Sequence, residues 1–95
     1  MHTLTLATND GDQEVEAELY GPLAVHPSIE YVGGWRISTL QGFAVGKVFA
    51  RRTDARAACV DLLTIEGIDW AGWDTRQWPD RALEQVRQVF AKYVL

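Results

Sequence analysis

Near Thr53 the spacing of apolar residues along this chain of 95 changes from every second position to every third or fourth. That switch sets the order of elements, with strands first and helices after. Leu4 and Leu6 alternate with Thr3, Thr5 and Thr8. Beyond Asn9-Asp10-Gly11-Asp12 the alternation resumes as Val15, Ala17 and Leu19 against Glu14, Glu16 and Glu18. Period two on both sides of an Asn-Asp-Gly turn predicts a β-hairpin with one buried and one solvated face. Leu23 to His26 reads as a short third strand stopped by Pro27, and Ser28 to Gly34 as a loop. A second hairpin runs from Trp35 to Leu40, turns at Gln41-Gly42 and returns from Phe43 to Ala50. A two-residue turn there pairs Ile37 with Gly46 and Trp35 with Val48, and sends Phe43, Val45 and Phe49 to the other face.

In the second half, Thr53 and Asp54 are N-cap residues for a helix reaching about Glu66. Its stripe is Ala55, Ala58, Cys59, Leu62 and Ile65, and Gly67 is placed as its C′ residue. Pro79 suits the first turn of a last helix, where its missing N–H costs nothing. Leu83, Val86, Phe90, Tyr93 and Val94 form that helix's apolar stripe, widened by Ala82 and Val89. The predicted fold is one α+β domain over residues 1–95: an antiparallel sheet of four or five strands in two hairpins, with both C-terminal helices on one face.

Several classes of function fall away. Cys59 is the only cysteine, so neither an intrachain disulfide nor a cysteine-based zinc site can form. His26 has no histidine or cysteine at ligand spacing, and His2 is terminal; no metal or cofactor is expected. The sequence offers no nucleophile–base pair and no phosphate loop, which speaks against an enzyme. The first residues lack a signal-peptide pattern and no apolar run reaches membrane-spanning length, so a cytoplasmic protein without a membrane contact is expected.

What remains are contact surfaces. Trp70, Trp73 and Trp78 fall within nine residues. Trp70 and Trp78 fit a structural clasp between the two helices, with Trp78 as a staple at the start of the second. Trp73, between Gly72 and Asp74, has no periodic partner and is a candidate interface anchor. Glu14, Glu16 and Glu18 project from one side of one strand and can dock on a basic surface. Lys47, Arg51, Arg52 and Arg56 gather at the junction of the second hairpin and the first helix, where a phosphate could be held. The net charge of −4 opposes nucleic acid.

From Trp35 to Trp70 the order is tryptophan-led strand, glycine turn, Phe43-Ala44-Val45, alanine-rich helix from Thr53, then Gly67-Ile68-Asp69-Trp70. This resembles small proteins of actinobacteria and their phages and mobile elements, whose hairpin–helix unit ends in Gly-hydrophobic-Asp-Trp. Their turn contains His and Ser, where this chain has Ser38-Thr39-Leu40-Gln41-Gly42. The resemblance implies a phage or accessory gene product and carries no activity. The expected function is therefore a regulatory, protein-binding module. Its contacts would be Trp73, Glu14, Glu16 and Glu18, and its partner another protein or a second copy. The alternative is a nucleic-acid-binding module using Lys47, Arg51, Arg52 and Arg56.

Overall fold

The computed structural model describes residues 2–8, 11–29, 31–42, 44–70 and 78–93. Five strands, β1 (His2–Thr8), β2 (Gly11–Tyr20), β3 (Leu23–Pro27), β4 (Trp35–Thr39) and β5 (Ala44–Phe49), precede two helices, α1 (Arg52–Leu63) and α2 (Asp80–Ala91). The strands form one antiparallel meander in sequence order. Both helices pack on it, as the change of periodicity predicts. The front core joins Leu23, Val25, Ile37, Val45 and Phe49 of the sheet to Ala55, Ala58, Cys59 and Leu62 of α1 and to Val89 and Phe90 of α2. The small residues of α1 let that helix approach the strands closely, while α2 fills the remaining space with larger side chains.

A second, smaller core lies on the back of the sheet. β2 changes partner along its length: residues 11–17 pair with β1, and Glu18 to Tyr20 pair with β3. The bend curls the first hairpin over the back face, where Leu4, Leu6 and Ala17 close on Ala24. β1 also reaches the β4–β5 turn. Gly42 has φ +93, and a Cβ there would run into the Thr5 carbonyl oxygen, so only glycine lets the curl close. The sheet is thus half rolled, with helices outside and a thin apolar seam within.

The second hairpin departs from the expected register. Ile37 pairs with Val45 and Ser38 with Ala44, one residue away from the symmetric two-residue turn, and Trp35 pairs with Phe49 across a bulge. One residue of slip exchanges faces. Val45 and Phe49 therefore point to the helices together with Ile37, not away from it. Gly46 makes the bulge, with φ +69 and its Cα against the Phe90 ring, and Arg36 Nη2 donates to its carbonyl at 3.0 Å.

Two helix ends also differ from expectation. α1 begins one residue before Thr53, with Arg51 extended at the N-cap and no side-chain cap. Arg52 is drawn into the first turn by its ion pair with Glu18 on β2. The helix ends at Leu63, short of Glu66, where Thr64 Oγ1 turns back to donate to the Asp61 carbonyl at 2.7 Å. α2 starts at Asp80 with Pro79 as its N-cap, placing Trp78 at N′, the staple position. Trp70 and Trp78 are both buried and meet edge to face, with centroids 5.2 Å apart. The expected clasp is present. Among the described residues, no helix is long and apolar enough to cross a membrane.

Candidate functional site

Among the described residues, Glu18 and the first arginines of α1 form a connected polar cluster. Alternation along β2 turns Glu18 and Tyr20 to the helix side, opposite Val25 and Leu23. Arg52 Nη2 pairs with Glu18 Oε1, and Arg56 Nε lies 3.6 Å from Glu18 Oε2. The Tyr20 hydroxyl donates to Glu18 Oε2 at 2.7 Å and accepts from Arg56 Nε at 2.8 Å. The Arg52 guanidinium also stands 5.7 Å from the centroid of the Trp35 ring. Two of the four basic residues that suggested a phosphate site are thus engaged by one of the three acidic residues that suggested a docking face. Arg51 is exposed beside them, and Lys47 is exposed on β5. Glu14 and Glu16 are exposed and share the outer face of the first hairpin with Thr3 and Thr5. Trp73 lies outside the described residues.

A second pairing, between residues twelve apart, escaped sequence reasoning. His26 and Ser38 both point into the back of the curled sheet. His26 Nδ1 lies 2.8 Å from the Pro27 carbonyl oxygen, and Nε2 lies 2.7 Å from Ser38 Oγ. A carbonyl can only accept, so Nδ1 carries the proton and Nε2 of the neutral ring accepts from the serine hydroxyl. The connectivity is that of a nucleophile and its base. Access decides its role: both side chains are 1% exposed, and no acyl group reaches Oγ with the hairpin closed. The pair therefore satisfies two polar groups inside the seam. Alternation marks His26 and Ser38 as same-face residues only once the β3–β4 register is known, and the sequence did not give that register.

Burial holds the His26 imidazole below its ordinary value of 6.5; the Pro27 hydrogen bond opposes this and the nearby Arg36 charge adds to it. As pH falls through 6.5, the unfolded chain takes up this proton first. The stability from neutral His26 is present in full above that value and is lost as pH falls towards the lowered folded pKa. Urea unfolding of the wild type at about pH 7.5 and about pH 5.5 should show a loss that His26→Gln lacks. An equal loss in both proteins would mean that other groups set the slope. Burial likewise raises the Cys59 thiol to about 12, which leaves it an unreactive apolar filler in α1.

Among the described residues, a groove between β5 and α2 offers a surface suited to a partner. Its volume is about 430 Å³, and it is lined by Val45, Gly46, Lys47, Trp78, Leu83, Val86, Arg87, Phe90 and Ala91. The sequence held a signal for it. The apolar stripe of α2 is wider than the strip the sheet covers: Ala82, Val89 and Phe90 are buried, whereas Leu83 and Val86 stay half-buried beside the bulge of β5. The groove's two cations differ. Arg87 Nη1 lies 3.6 Å from Glu84 in an exposed pair, and Lys47 has no ion pair with any described residue. A cleft of about 490 Å³ beside the first half of α2 is lined by Thr64, Glu66, Arg81 and Gln85 among others and lacks such an apolar floor. Among the described residues, no three His, Cys, Asp or Glu side chains gather as a metal site.

No protein-family model matches the chain, and neither a curated protein nor a solved structure matches it. Function must be read from its surfaces.

Proposed function

We propose that this chain is a small protein-binding module that seats an apolar segment bearing a carboxylate in the groove between β5 and α2. The observation that carries this is the pairing of an apolar floor (Val45, Leu83, Val86, Phe90) with cations at the rim (Lys47, Arg87) on a chain of net charge −4. Leu83 and Val86 are left half-buried beside Lys47 and Arg87, so a segment laid in the groove would complete their burial and meet a cation at the same time. A carboxylate placed by Lys47 and Arg87 adds orientation and a faster encounter more than raw affinity. Glu14 and Glu16 lie beside Thr3 and Thr5, with no large apolar side chain among these four to anchor a partner. The nucleic-acid reading loses ground because Glu18 already occupies Arg52 and Arg56.

Selection of random peptides on the immobilised protein tests this reading. Enriched sequences should combine aliphatic or aromatic residues with Asp or Glu. Enrichment should vanish on Ala91→Trp, which fills the groove from an exposed position, and fall on Lys47→Glu, which reverses a rim charge. Failure to enrich any sequence, or equal enrichment on Ala91→Trp, would overturn it.

A further inference from the structure

We propose that the first hairpin, β1 with residues 11–17 of β2, is a lid over His26 and Ser38 that opens at mildly acid pH while the rest of the fold stays closed. The hairpin is a separable unit. The front core draws on β3, β4, β5 and both helices, and among the described residues none before Tyr20 belongs to it. The back core is the hairpin's own: Leu4, Leu6 and Ala17, with Val15 beside them, close on Ala24 of β3. Beyond Ala17, β2 leaves β1 and pairs with β3 through Glu18, Leu19 and Tyr20. The near side of that hinge is fixed, since Arg52 and Arg56 hold Glu18 against α1. Lifting the hairpin breaks a thin seam and leaves the larger core intact.

His26 and Ser38 lie beneath this lid. The hairpin rests on Ala24 at one side and, through Thr5, on Gly42 at the other. Between these supports stands Ser38, opposite Ala24 on β4, and His26 follows Ala24 on the same face of β3. With the ring neutral, each polar atom of the pair has a partner: Nδ1 donates to the Pro27 carbonyl and Nε2 accepts from Ser38 Oγ. A second ring proton removes that acceptor, turns the serine proton towards an apolar seam and buries a charge. The surrounding groups do not compensate it. On this side of the sheet stand Arg36, opposite His26 on β4, and His2, exposed at the rim in the row of Leu4 and Leu6. Asp12, Glu14 and Glu16 alternate to the outer face of the hairpin, Glu18 and Lys47 lie on the helix side, and Tyr31 of the following loop is exposed. Among the described residues, no carboxylate is placed to meet an imidazolium here. Burial already holds this ring below its ordinary 6.5, so the proton enters more readily with the lid open. Acid then uncovers Leu4, Leu6 and Ala17, an apolar surface that neutral pH conceals.

Amide hydrogen exchange of the native chain, read by NMR and corrected for the intrinsic effect of pH, tests this. A two-stranded hairpin parted from its sheet is marginal at best, so its amides exchange once the lid lifts. Paired amides of β1 and β2 should be at least about tenfold less protected than those of Ile37 and Leu62 in the front core. Between about pH 7.5 and about pH 5.5 the hairpin's protection should fall several-fold, and at most about tenfold, the effect of one proton. His2→Gln should keep that fall and His26→Gln should abolish it. Equal protection of hairpin and front core would overturn the lid, because the molecule would then open only as a whole. No fall in the wild type, or one that persists in His26→Gln, would overturn the role of His26. If His26→Gln does not fold, a titration of the wild type decides: the Leu4 and Leu6 methyl signals should move with the midpoint of the His26 ring. Methyls that stay fixed while the ring titrates would overturn the proposal.

Discussion

Replacing Trp78 by alanine should remove about 3–5 kcal/mol from the unfolding free energy, the range for deleting a large aromatic side chain from a packed core. At the usual stability per residue, a chain of 95 has only about 5–14 kcal/mol in total, so the variant sits near the edge of folding. The effect is large because Trp78 serves several contacts together. It is 7% exposed in the front core, meets Trp70 edge to face, stands at the N′ position of α2 and forms part of the groove floor. The edge-to-face contact adds about 0.5–1.5 kcal/mol beyond area burial. Urea unfolding measures the loss, and Trp78→Phe, which keeps a ring against Trp70, should recover more than half of it. A loss below about 1 kcal/mol for Trp78→Ala would place this side chain among ordinary surface substitutions and remove the clasp. The same variant is a poor probe of binding, since it perturbs fold and groove together. Lys47 and Ala91, both exposed, are the residues that separate the two.

The architecture was legible wherever one periodicity ran unbroken. Leu4 and Leu6 against Thr3 and Thr5, Ala55 to Leu62, and the stripe of α2 each repeat often enough to assign a face without knowing their neighbours. Trp70 and Trp78 were legible as a clasp because the staple position before a helix has a local signature. The register of the second hairpin was not, because it is set from outside the hairpin. Gly42 must admit the Thr5 carbonyl of a strand far back in the sequence, and Gly46 must admit the Phe90 ring far ahead. The one-residue shift carries Val45 and Phe49 to the helix side. His26 and Ser38 were hidden for the same reason, since their meeting depends on the pairing of β3 with β4.

The basic and acidic candidates show a different limit. Each was read as a separate patch, because linear spacing reveals charges of one sign along one element. It does not reveal that α1 lies over the Glu18 end of that acidic row, where Arg52 and Arg56 meet it. The pairing with β3 turns Glu18 towards α1 while Glu14 and Glu16 remain outside. The groove was half visible. An apolar stripe broader than one sheet face can cover implies residual exposure somewhere along α2, and the bulge of β5 decides that it falls at Leu83 and Val86.

Gly46→Ala should cost about 2–5 kcal/mol, a large effect for a single added methyl group. Two terms contribute. The left-handed backbone at φ +69 costs an L-residue about 1–2 kcal/mol. Forcing a Cβ into the space held by the Phe90 ring costs about 1–3 kcal/mol of overpacking. The ring cannot withdraw freely, because Phe90 packs on Phe49 at 5.7 Å between centroids and Arg36 pins the Gly46 carbonyl from the other side. A double-mutant cycle with Phe90→Ala separates the terms. Deleting the ring is itself costly, but it removes the three atoms nearest to the added methyl, and Gly46→Ala should then cost little beyond the backbone share of about 1–2 kcal/mol. The difference between the two backgrounds reads the steric term directly. Equal costs with and without the ring would mean that the bulge is held by backbone conformation alone. In that case Phe90 would have no part in setting the register that turns Val45 and Phe49 towards the helices.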